Sequence, residues 1–203
     1  MSSPAVPPLR RAIHLSAATV AWNLVIGGAA IATAVATGGL SLIGFGFNAV
    51  LDSSVSVLLI WRFRIEERGH DEHAEHLEQR ALTMAAAAFT IVAVYLAIRA
   101  VHSLASGHHG EASGFGIAEA SASLLVLPLL AVAKYRLAGE LGSRALRADA
   151  LLTTSGVALA TITLAGLVLQ SALGWWWADP VAALAIAGFL VWGGAQAWRD
   201  REI

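Results

Sequence analysis

The 203 residues contain no cysteine, which excludes a disulfide framework and any thiolate metal site. A bound metal would have to be held by oxygen or imidazole. Charge is scarce too, at 13% Asp, Glu, Lys and Arg with a net of −1. No basic footprint exists for a nucleic-acid partner. No nucleophile–base pair and no HExxH-type motif occurs along the chain, so the sequence is not read as an enzyme. Apolar residues are what the chain has in excess: 57% are hydrophobic and the mean hydropathy is +0.68. A globule of this size cannot hide that much apolar surface from water. The expected solvent for most of it is lipid.

A membrane span needs about 20 mostly apolar residues. Six such stretches are expected, running roughly from Ile13 to Ala36, Leu40 to Trp61, Ala81 to Val101, Ser113 to Ala133, Ala148 to Gln170 and Ala178 to Trp198. The first is too long for a signal-peptide core and leads straight into the second, so it is read as retained. Lys and Arg fall almost entirely on one side. Arg10 and Arg11 precede the first span; Arg62, Arg64, Arg68 and Arg80 lie between the second and third; Lys134, Arg136, Arg144 and Arg147 lie between the fourth and fifth; Arg199 and Arg201 follow the sixth. The positive-inside rule therefore places both termini in the cytoplasm. Tight turns at Thr37-Gly38-Gly39 and Leu173-Gly174-Trp175 predict antiparallel hairpins. The fold class is all-α, a six-helix polytopic membrane protein, read as a single domain over residues 1–203 with no cytoplasmic C-terminal domain.

Acids at membrane depth are costly and are functional by default. Asp52 lies midway along the second span, with Asn48 one turn earlier on the same helical face. Ser53, Ser54 and Ser56 add hydroxyls, and Gly44 and Gly46 allow a neighbouring helix to come close. This reads as half of a cation site; the alternatives are an interhelical hydrogen-bond pair or a neutral, protonated Asp. Asp149, followed by Thr153, Thr154 and Ser155, reads equally as part of an ion path or as a helix-start acid stabilised by the macrodipole and its Arg neighbours. Asp179 before Pro180 reads as the N-cap of the sixth span. Trp175, Trp176 and Trp177 fit an interfacial belt. Glu119 is expected to snorkel or to pair with Arg99, and Asn23 to bond a neighbouring helix. His70, Asp71, His73 and His76 crowd the connection between the second and third spans, where they are candidates for cytoplasmic metal capture. His108 and His109 with Glu111 form a similar group in the third loop.

Three runs carry a resemblance. SLIGFGFNAVLD from Ser41 to Asp52, SRALRADA from Ser143 to Ala150, and WADP from Trp177 to Pro180 resemble the cation diffusion facilitator superfamily in sequence and in order. The resemblance implies a six-helix exporter of divalent cations, usually driven by proton antiport and usually dimeric. It also implies a metal site with paired ligands four apart on the second and fifth spans. The first pair falls on Asn48 and Asp52. The second falls on Leu152 and Gly156, neither of which binds metal, leaving Asp149 and Thr153 as the remaining candidates on the fifth span. An oxygen set of this kind suits a hard cation better than zinc, with zinc, manganese, iron, cobalt and magnesium all undecided. The rival expectation is a degenerate, non-transporting relative acting as a metal-sensing or partner-binding membrane protein. The Ala- and Gly-rich, short-looped chain suggests a prokaryotic inner membrane.

Overall fold

The computed structural model describes residues 6–66, 74–107, 110–111 and 113–199. They form six helices: α1 (Val6–Thr37), α2 (Leu40–Glu66), α3 (Ala74–Ser106), α4 (Gly114–Leu141), α5 (Arg144–Leu173) and α6 (Ala178–Arg199). Each is at least 22 residues long, and 22 residues at a rise of about 1.5 Å exceed the roughly 30 Å hydrocarbon core. Four helices carry long apolar windows, and α3 and α6 carry the shorter apolar stretches Thr90–Ser106 and Ala178–Trp192. Much of the polar stretch between the second and third spans is helical, because α2 continues to Glu66 and α3 begins at Ala74.

Helix ends follow local chemistry. Gly38, Gly142 and Gly174 adopt left-handed φ of 75°, 62° and 67°, a conformation that costs glycine nothing. The Gly142 turn reverses α4 directly into α5, where the Ser143 hydroxyl accepts the Leu146 N–H as N-cap. Ser113 caps α4 in the same way through Gly116.

Helices α1, α2, α4 and α5 pack into a four-helix core, and α3 and α6 pair with each other along its flank. Leu42, Phe45, Leu96, Leu159, Leu167, Ile186 and Leu190 form the buried cluster that joins the two groups. The outer faces are apolar: Val35, Leu125 and Leu129 are 79%, 74% and 73% exposed, as lipid-facing residues should be. The expected close approach at Gly46 is present. A Cβ there would lie 2.7 Å from Ile31 and 2.9 Å from the Gly27 carbonyl, so α1 and α2 meet backbone to backbone.

Asp179 plays a different part from the one expected. It is the second residue of α6 and 2% exposed, and its carboxylate accepts the Leu40 and Ser41 N–H groups and the Ser41 hydroxyl. It therefore caps α2 across space rather than its own helix, supplying the orphan donors of that N-terminus and tying α6 to the core.

Candidate cation site

Polar side chains enter the four-helix core at three levels. Helix α1 gives the scale, because Ser16, Asn23 and Thr33 each mark one level and a helix rises about 1.5 Å per residue. The levels are separated by about 10 Å and about 15 Å on that rise.

The middle level surrounds Asp52. Its Oδ2 accepts from Asn23 Nδ2 at 2.7 Å, while Oδ1 is buried with no hydrogen-bond partner among the described residues. Asn23, Asn48, Asp52, Ser123 and Gly156, with Phe45, Ala49 and Leu127, line a cavity of about 10 Å³. That is on the scale of one water-sized occupant. The Ser123 hydroxyl, fully buried, likewise has no partner among the described residues. Such buried oxygens carry a desolvation cost unless something satisfies them. Asn48 and Asp52 therefore do share one face and one cavity. Asn23, expected to bond a neighbouring helix, does so, and its partner is the central carboxylate. Ser123 was legible only as a hydroxyl on an apolar helix.

The cytoplasmic level holds Asp149. The Lys134 ammonium lies 2.7 Å from Asp149 Oδ2, and both side chains are fully buried. Ser56 donates to Oδ1 at 2.7 Å and Ser16 to Oδ2 at 3.3 Å. Lys134 also donates to Thr153 Oγ1 at 3.0 Å, and that hydroxyl donates to the Asp149 carbonyl. Two expectations change here. Lys134 is not a loop charge: α4 continues to Leu141, and Lys134 falls on the buried face that also carries Ser123, Leu127 and Ala131. Nor does Arg147 hold Asp149, since it turns outward to the Tyr135 hydroxyl and ring. Of the other hydroxyls, Ser53, Ser54, Thr154 and Ser155 bond back to carbonyls of their own helices, which leaves Ser56 as the α2 serine that reaches the site.

The outer level holds Glu119, 5% exposed. Its Oε1 accepts the Thr33 hydroxyl at 3.3 Å, in place of the expected pairing with Arg99, and its Oε2 has no partner among the described residues. Ser123 lies one helical turn deeper on the same α4 face.

Gly156 occupies the position at which the resemblance calls for a metal-binding acid, and it borders the same cavity: a Cβ there would lie 3.9 Å from Asn48 Nδ2 and 3.3 Å from Leu127. Among the described residues no three His, Asp or Glu side chains are grouped closely enough to hold a metal by themselves. A zinc-type tetrahedral set is therefore absent from them, and the middle level offers one carboxylate with amide and hydroxyl groups. His70, Asp71 and His73, expected to capture metal, lie outside the described residues, as do His108 and His109; His76 falls in the first turn of α3.

The cation efflux transmembrane domain matches residues 16–200. Transmembrane protein 163 of Xenopus laevis is 29% identical over 140 residues, covering 69% of this chain and 49% of that protein. The chain thus spans about half the length of this curated relative. A vertebrate relative lends no support to the expectation of a prokaryotic inner membrane; what stands is an integral, multi-pass membrane protein.

Proposed function

Because the chain belongs to the cation efflux family, a family of membrane cation transporters, we propose that it moves a divalent cation across the membrane in exchange for protons, with Asp52 as the carboxylate for which both compete. The observation that carries this reading is Asp52 in the four-helix core, whose Oδ1 has no hydrogen-bond partner among the described residues and which lines a cavity shared with Asn48 and Ser123. A buried carboxylate with one oxygen held by Asn23 and the other without a partner among the described residues is oriented for a ligand. Oxygen donors of this kind favour hard cations. Rocking of the core helices would open the cavity to either face in turn, and His70, Asp71, His73 and His76 would gather metal on the cytoplasmic side.

The test is cation flux into proteoliposomes under an imposed pH gradient, offering manganese, zinc, cobalt, iron and magnesium separately. Asp52→Asn, nearly the same size, should fold normally and lose flux. Equal flux in the variant would overturn the assignment of Asp52. The second reading, a relative that senses metal or binds a partner without transporting, is favoured by Leu152 and Gly156 at the family ligand positions. It predicts no gradient-dependent flux for any of the five metals from well-folded protein.

A further inference from the structure

Lys134 is expensive where it is. A charged group deep in a membrane bundle costs several kcal/mol unless paired, and an interhelical clamp between α4 and α5 would be served as well by two apolar side chains. The arrangement is also richer than a clamp. Three helices bring their oxygens to one point, Ser16 from α1, Ser56 from α2, and both Asp149 and Thr153 from α5, all fully buried, and α4 brings the ammonium. The ammonium is a compact, point-like cation on a flexible four-carbon stem. It sits 2.7 Å from the carboxylate and 3.0 Å from the Thr153 hydroxyl.

We propose that Asp149, Thr153, Ser16 and Ser56 form a second cation site on the cytoplasmic side of Asp52, and that the Lys134 ammonium is its tethered occupant. A mobile cation and the ammonium would then exclude one another. The ligand class is a hard divalent cation, because the donors are one carboxylate and three hydroxyls with no imidazole or sulfur.

Charge favours the exclusion. The Lys134 ammonium already cancels the charge of an ionised Asp149, so a divalent ion entering beside it would add two uncompensated positive charges to a low-dielectric core, against one when the ammonium is gone. Once the stem has swung aside or been shortened, Asp149 becomes a free carboxylate already surrounded by hydroxyls. The site is distinct from the Asp52 cavity, one level away on α1 at about 10 Å by helical rise, so it can be tested whether or not Asp52 binds cargo.

The experiment uses the full chain in detergent with Mn²⁺ as the probe, in an Asp52→Asn background that removes the middle carboxylate. Bound Mn²⁺ is counted by electron paramagnetic resonance, and the unfolding temperature is measured with and without the metal. Asp52→Asn alone should bind none. Adding Lys134→Gln should create one bound Mn²⁺ per chain and a Tm that rises by several degrees with millimolar metal. Adding Asp149→Asn to that pair should abolish both effects, and Lys134→Arg in place of Lys134→Gln should show neither. Binding that is absent after Lys134→Gln, or that survives Asp149→Asn, overturns the proposal. If the Lys134→Gln protein does not fold without metal, purification in Mn²⁺ should recover it. Failure to fold in either condition, while Lys134→Met/Asp149→Leu folds, equally overturns the proposal. Loss of flux in the Asp52→Asn protein bears on the middle site alone, so the two readings can fail separately.

Discussion

Lys134 and Asp149, on neighbouring helices joined by a two-residue turn, hold one another at 2.7 Å with neither side chain exposed. Such a pair is asymmetric in its energetics, because removing one charge strands the other in a dry interior while removing both does not. Asp149→Leu alone should therefore destabilise the protein by about 3–5 kcal/mol. Lys134→Met/Asp149→Leu should recover most of that loss. Unfolding in detergent measured for the two singles and the double forms the cycle, and a double variant as unstable as the sum of the singles would refute charge pairing as the cause.

The six helices were legible from apolar runs bounded by charge, Gly or Pro, although among the described residues four carry long apolar windows and α3 and α6 carry shorter ones. The Lys134 position was not, and the reason is physical. A Lys followed by Arg136 and Arg144 reads as the rim of a span, whereas α4 runs seven further residues to Leu141. The signal was present in the spacing: Leu127, Ala131, Lys134 and Ala138 follow one another at three or four residues and share a buried face. Asp52 with Asn48 was legible from local spacing. Its partner Asn23 could be placed only on another helix, because a pairing between helices leaves no trace in either helix's own periodicity. Asp179 failed the same way. Its Pro180 neighbour signals a local cap, and the carboxylate instead reaches the start of α2.

That capping role has its own consequence. Asp179 satisfies two backbone donors at the N-terminus of α2 and also complements its dipole. Asp179→Ala should cost about 2 kcal/mol, at the upper end for a lost cap because the donors are left buried. Hydrogen exchange should locate the damage at the Leu40 and Ser41 amides rather than at the start of α6. Protection lost first around Ala178 to Val181 would contradict the assignment.

Gly46 and Gly28 offer a matched pair. A Cβ on Gly46 would press within 2.7 Å of Ile31 and 2.9 Å of the Gly27 carbonyl, whereas a Cβ on Gly28 meets nothing within 4 Å. Backbone cannot yield as a side-chain tip can, so Gly46→Ala should push α1 from α2 and cost about 1–3 kcal/mol. Gly28→Ala should be neutral or stabilise by about 0.5–1 kcal/mol, through the helix preference of alanine. Thermal unfolding of both variants decides the matter, and similar effects at the two positions would argue against a close α1–α2 seam.

Gly156 is where the middle level can be rebuilt. It lines the same cavity as Asp52 and Asn48, and its missing side chain would point toward Asn48 Nδ2 at 3.9 Å. Introducing Gly156→Asp would place a second carboxylate within reach of the first, which doubles the negative charge offered to a divalent ion. Two buried like charges repel unless a cation bridges them, so the variant should be less stable than wild type without metal and regain stability when metal is added. The contact that must give is Leu127 Cδ1 at 3.3 Å from the new Cβ, the end of a flexible side chain rather than backbone. Divalent-cation affinity in detergent should rise at least tenfold, about 1.4 kcal/mol, and the gain should vanish when Asp52→Asn is added. An affinity gain that persists without Asp52 would mean that the new carboxylate binds metal by itself, and that the cavity around Asp52 is not a shared cation site.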